Sequence, residues 1–131
     1  MEYVKSFRDL EVYKLSRQLS KEIFEISKKF PKEEMYSLTD QVRRSSRSIG
    51  AQVAEAWGKR KYEKHFVSKL TDADAEQLET QHWIETALDC SYISNEISDG
   101  LLKQYFSIGK MLNSMINKAE LFCNRLPNTD N

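Results

Sequence analysis

The 131-residue chain has few residues that break helices, with four Gly and two Pro. That scarcity excludes collagen-like and Pro/Gly-rich disordered classes and favours long helices. Two cysteines are too few for a disulfide scaffold, and Cys90 and Cys123 match no metal-ligand spacing. Both fall inside helical patterns and are expected to be reduced and mostly buried, with a Cys90–Cys123 disulfide as the alternative. Charge of one sign is missing as well, because 20 Lys+Arg balance 20 Asp+Glu. Bulk charge therefore points neither to nucleic acid nor to a membrane. No apolar run approaches the ~20 residues needed to cross a bilayer. Met1-Glu2-Tyr3-Val4-Lys5 lacks the basic and then apolar stretches of a signal peptide. A soluble, cytoplasmic chain with no membrane partner is the expectation.

What is present is helical periodicity. With 40% hydrophobic residues, the length suits one domain over 1–131 with one core. Val12, Leu15, Leu19, Ile23, Ile26 and Phe30 recur at three and four and predict a helix over about 8–30, ended by Pro31. Leu38, Val42, Ser45, Ile49, Val53 and Ala56 predict a second over about 37–57, closed by Gly58. Ser37 is its expected N-cap, with Asp40 at the third helical position. A third helix over about 61–93 buries Phe66, Leu70 and Ala73, turns polar at Gln77, Thr80 and Gln81, then resumes with Ile84, Ala87 and Leu88. Buried polar groups without partners cost about 1–3 kcal/mol each. These three should therefore pair across the bundle or line a subunit contact.

Ser94 to Ser98 read as a turn, and the fourth helix is expected over about 99–125. It carries Leu101, Tyr105, Ile108, Leu112, Met115, Ala119, Phe122 and Leu126, alternating four and three as a heptad seam does. A second stripe, Leu102, Phe106, Gly109, Ile116 and Cys123, makes it apolar on more than one side. Such a helix is either central in its bundle or shared with another subunit. The fold class is all-α, an antiparallel up-down-up-down four-helix bundle with left-handed packing. Pro127 to Asn131 are expected to fray.

Charge is unevenly placed. Residues 31–65 hold eight basic and five acidic side chains, whereas residues 66–99 hold one and eight. The basic groups cluster at Arg43, Arg44 and Arg47, then at Lys59, Arg60, Lys61 and Lys64. At about 100° per residue, the three arginines project from the flank and back of the second helix. A stripe of Ser46, Gly50 and Ala54 beside them would let another helix approach closely. Three readings follow. The cluster is solvated surface, or it meets the acidic third helix of a neighbouring subunit. In the third, its seven residues neutralise the phosphates of RNA or DNA.

Catalytic and metal sets are sparse. Glu79 and His82 give one E-x-x-H step of a di-iron bundle, but the second step is missing because Tyr62 precedes His65 by three. Asp72, Asp74 and Glu76 lack the register of an EF-hand loop. No phosphate loop or nucleophile elbow occurs, so no metal or cofactor is expected. Arg60 and His65 fit R-x4-H, which resembles the catalytic motif of the helical HEPN ribonucleases. Lys61 stands where that family usually has a small polar residue. The competing reading of His65 is a solvated side chain at a helix start.

Three blocks carry a wider resemblance: Phe7-Arg8-Asp9-Leu10-Glu11-Val12-Tyr13, Phe30-Pro31-Lys32-Glu33-Glu34-Met35-Tyr36-Ser37-Leu38-Thr39 and Gln41-Val42-Arg43-Arg44-Ser45-Ser46-Arg47-Ser48-Ile49. With Ala54-Glu55, Gly58-Lys59, Phe66 to Gln81 and Gly109-Lys110-Met111-Leu112-Asn113, the chain resembles the four-helix-bundle family named for the 23S rRNA intervening-sequence protein. The same fold includes the accessory variability determinant protein of diversity-generating retroelements. The resemblance implies a non-enzymatic bundle that assembles as a homopentamer. In the retroelement branch, a basic surface binds nucleic acid and a reverse transcriptase. Arg43, Arg44, Lys59 and Arg60 fall on the family's basic positions.

Overall fold

Apolar residues at helical spacing, interrupted at Pro31 and at two later turns, set the order of elements. A computed structural model describes residues 4–123, which form four long helices and a short fifth, with no strand among them. These are α1 (Glu11–Ser27), α2 (Asp40–Gly58), α3 (Glu63–Asp89), α4 (Asn95–Asn117) and α5 (Ala119–Cys123).

Every helix is shorter or shifted relative to its sequence pattern, for local reasons. Residues Phe7–Asp9 form a separate 3-10 turn capped by the Ser6 hydroxyl, and Leu10 is extended before α1 begins. At the other end α1 stops at Ser27, ahead of Pro31, which disfavours helical geometry in the residue before it. Ser37 is not the cap of the second helix. That helix follows Thr39 with no side-chain cap, and Glu34 instead caps the turn before it: its Oε1 accepts from the Ser37 hydroxyl (2.7 Å) and the Leu38 N–H (3.4 Å). A carboxylate is the stronger acceptor at the positive end of a helix. One π turn, Met35–Thr39, then leads into α2. Ser91 adopts φ 63, in the left-handed region, so α3 ends at Asp89 rather than near Ile93. Cys90 is consequently exposed in that turn, Cys123 is buried, and both are free thiols. Ser94 caps α4 through the Ile97 N–H, so most of the expected turn is the first turn of the helix. The expected helix end at 125, Leu126 of the seam and the fraying of Pro127 to Asn131 lie outside the described residues.

The second Glu34 oxygen accepts from the Tyr92 hydroxyl at 2.8 Å, and the Phe30 and Tyr92 rings lie 5.5 Å apart. The two links at this end of the molecule are thereby tied together. The Ser37 and Tyr92 hydrogen bonds hold the Glu34 carboxyl below its ordinary 4.5, and the same contact pushes the Tyr92 phenol up to about 12. As pH falls, the unfolded chain takes up the Glu34 proton first. The stabilisation is therefore present above about pH 4.5 and is lost as pH falls through the lower folded value. Urea midpoints of wild type and Glu34→Gln should differ at pH 7 and converge toward pH 3. An equal gap at both would exclude the carboxylate as the cause.

Around the bundle, α1 packs on α2 and α4, and α3 packs on α2 and α4. Ser16 meets Gly50 while Ser27 meets Arg43. Thr80 meets Ser45 while Lys69 meets Glu55. Gln77 meets Gly109 while Phe66 stacks on Phe122. Numbers rise along one member of each pair and fall along the other. Leu19, Ile49, Val53, Phe66, Leu70, Ile108 and Leu112 are fully buried between them.

The polar stretch of α3 divides. Thr80 donates to the Ser45 hydroxyl at 2.8 Å, the expected pairing across the bundle. Gln77 and Gln81 instead bond along their own helix, Gln81 to Gln77 (2.7 Å) and Gln77 to Asp74 (3.0 Å). A Cβ at Gly109 would sit 3.0 Å from the Gln77 amide nitrogen, so this glycine admits the carboxamide between α3 and α4.

Candidate nucleic-acid interface

Residues 43 and 44 are separated by about 100° around α2, and that angle divides the arginine cluster. Arg43 turns toward α1, where its Nε donates to the Ser27 hydroxyl at 2.7 Å. Arg47, one turn later, follows it. Arg44 turns toward α3 and pairs with Glu79 (2.6 Å) and Glu76 (3.6 Å). The Glu79 hydrogen bond raises the Arg44 pKa. The Trp83 indole N–H, and then Arg44, hold the Glu79 carboxylate below its ordinary range. Part of the acid–base complementarity expected between subunits is thus met inside one chain, at Arg44, while Lys69–Glu55 joins the same two helices with the opposite polarity.

The remaining basic residues lie at the α2–α3 link. Lys59, Lys61 and Lys64 are exposed. Arg60 folds back onto Trp57, its guanidinium carbon 3.7 Å from the ring centroid and its Nε donating to the Trp57 carbonyl at 2.8 Å. His65 is exposed beside Tyr62, ring centroids 5.5 Å apart. The two members of the R-x4-H motif are thus engaged by different aromatic partners.

On the α1 side a second basic row joins Arg43 and Arg47. Arg17, Lys21 and Lys28 share a face of α1 with Phe24, at intervals of four, three and four. Three cations converge on the Phe24 ring: Arg43 at 4.7 Å, Lys28 at 4.8 Å and Arg47 at 5.4 Å from its centroid. Lys28 also pairs with Glu25, but Arg17, Lys21, Arg43 and Arg47 have no acidic partner among the described residues. Gly50 allows this closeness, since a Cβ there would lie 3.2 Å from the Ser16 hydroxyl of α1. The small-residue stripe therefore seats a helix of the same chain. Two open hollows run along the α1/α2 groove, of about 430 and 350 Å³, and share Arg17, Ser20 and Arg47.

Sequence reasoning missed Arg17, Lys21 and Phe24, although their spacing along the polar side of α1 was available. The α1 stripe was read for its apolar positions alone.

The opposite face, between α3 and α4, is different in kind. Its open groove of about 810 Å³ has Leu78 on one wall and Phe106 on the other, 55% and 60% exposed. Gln77, Gln81 and Gly109 line it between them. Among the described residues no group of three or more His, Cys, Asp or Glu could hold a metal ion, and no helix is long and apolar enough to cross a membrane.

The sequence profile of the 23S rRNA-intervening sequence protein family matches residues 8–114. Among solved structures, a protein with unknown function from the S23 ribosomal protein family of Bacteroides thetaiotaomicron is 29% identical. It superposes with a TM-score of 0.73 over 81% of this chain and 95% of that one. No curated protein gives a significant match.

Proposed function

The chain belongs to the 23S rRNA-intervening sequence protein family, and from that membership we propose a non-enzymatic, self-associating helical scaffold that holds nucleic acid on its α1/α2 face. One observation carries the nucleic-acid reading. In a chain of zero net charge, Arg17, Lys21 and Arg47 line one hollow and Arg43 stands beside it over the Phe24 ring, none with an acidic partner among the described residues. Cations left unpaired in this way are suited to phosphates, whose neutralisation releases counterions.

Self-association is assigned to the other side. Leu78 and Phe106 leave an apolar pair open on the α3/α4 groove, and covering such pairs favours association. The antiparallel neighbour pairs support an up-down-up-down bundle, and left-handed packing is proposed with it from the heptad seam of the fourth helix. The pentamer is the assembly that the family resemblance implies, and the cytoplasm is its proposed location. Lys59, Lys61 and Lys64 would extend the phosphate-binding surface past the end of α2.

The test is the salt dependence of affinity for a labelled oligonucleotide. Four phosphate contacts on a single strand give a slope of about −2.8 in log affinity against log salt, near 50-fold between about 50 and 200 mM. Affinity that ignores salt would contradict phosphate binding by this groove.

A further inference from the structure

We infer that the hollow beside Tyr13 accepts an unpaired base, so that the α1/α2 groove takes single-stranded nucleic acid in preference to duplex. The inference rests on the nucleic-acid reading above and names its substrate class. Phe7 packs edge-on against Tyr13, centroids 4.9 Å apart at 82°, so one aromatic ring props the other beside the hollow. The Tyr13 ring lies against α2 at Gly50, its Cε1 3.6 Å from where a Cβ would sit, an ordinary van der Waals distance. Ala51 and Ala54 leave the opposite side low. Two cations flank this space: Arg17, 6.0 Å from the Tyr13 centroid, and Arg47.

Charge alone does not distinguish a strand from a duplex, since both present phosphates. The hollow does. A paired base is stacked and turned inward, where a ring on the protein surface does not reach its face. An unpaired base can leave its stack and lie against an aromatic ring while phosphates on either side reach guanidinium groups. The neighbouring hollow extends the cations rather than the stacking surface, since Arg43, Lys28 and Arg47 already lie over Phe24 while Arg17, Lys21 and Arg47 line the space. A strand laid along α1 would thus meet the Tyr13 ring and then the cations Arg17, Lys21 and Lys28, over about 22 Å of helix.

The experiment compares fluorescence anisotropy of a labelled oligothymidylate of about 12 nucleotides, within the usual range of single-strand sites, with a labelled duplex of equal length. The full chain is used, as wild type and as Ala51→Leu. Ala51 is exposed, and leucine is a good helix former, so the variant fills the hollow without removing a charge. Wild type should bind the single strand about tenfold more tightly than the duplex, the gain from one stacked base. Ala51→Leu should lose that preference while its duplex affinity stays within about twofold, with an unchanged thermal melt. Equal affinity of wild type for both probes would overturn the base-binding inference and leave phosphate binding standing. Binding of neither probe at low salt would overturn both, and the wild-type comparison decides the matter even if Ala51→Leu folds poorly.

Discussion

Replacing Arg43 and Arg47 together by glutamate is expected to weaken nucleic-acid binding about 100-fold at about 50 mM salt, with helix content unchanged. At that salt each phosphate neutralised on a single strand is worth roughly tenfold, so two lost contacts account for the effect. The two positions share one ring, Phe24, where they stand with Lys28. Among the described residues neither has an acidic partner whose loss would unbalance the fold. Arg44 supplies the internal contrast, since it already binds Glu76 and Glu79. Arg44→Glu should lower the melting temperature by setting three carboxylates together, yet leave affinity within about threefold. If the Arg43/Arg47 variant bound like wild type, the cations of this groove would be solvated surface only.

Exchanging Leu78 and Phe106 for lysine is expected to dissociate the assembly to single chains. Both side chains are more than half exposed in the isolated chain, so the monomer loses little when they change. In an assembly each would be covered, and burying a large apolar side chain contributes about 1.5–3 kcal/mol. Loss of both contributions therefore weakens association by at least 100-fold and, at about 4 kcal/mol combined, by about 1000-fold. Lys110 and Lys118 already line this groove, so two more cations add repulsion. Light scattering on the double variant reads the outcome directly. An assembly mass equal to wild type would place the subunit contact elsewhere.

The core was legible because burial repeats with the helical period. Leu19, Ile49, Phe66, Leu70, Ile108 and Leu112 were all placed inward from spacing and are all buried. Thr80 and Ser45 likewise sat on inward stripes, and they meet. Helix ends were less legible, since they depend on which nearby group wins a hydrogen bond. Ser37 had the composition of a cap, but the Glu34 carboxylate accepts from it and from Leu38. Nothing in the side chain of Ser91 announced a left-handed backbone. The candidate site was legible only in part, because sequence neighbours diverge in space. Arg43 and Arg44 look alike on paper, yet one faces α1 and the other is held by α3. The groove also needs Arg17, Lys21 and Phe24 from a helix read first for its apolar face. Their closeness to Arg47 depends on how tightly Gly50 lets α1 and α2 approach.

The proposed scaffold joins several copies and leaves its basic face free. Its most direct test is the solution mass of wild type by light scattering, at low and at high salt. An apolar α3/α4 contact predicts a multiple of the 15.4 kDa chain mass, five for the proposed pentamer, that persists when salt screens charge. A mass of one chain at both salts would contradict it.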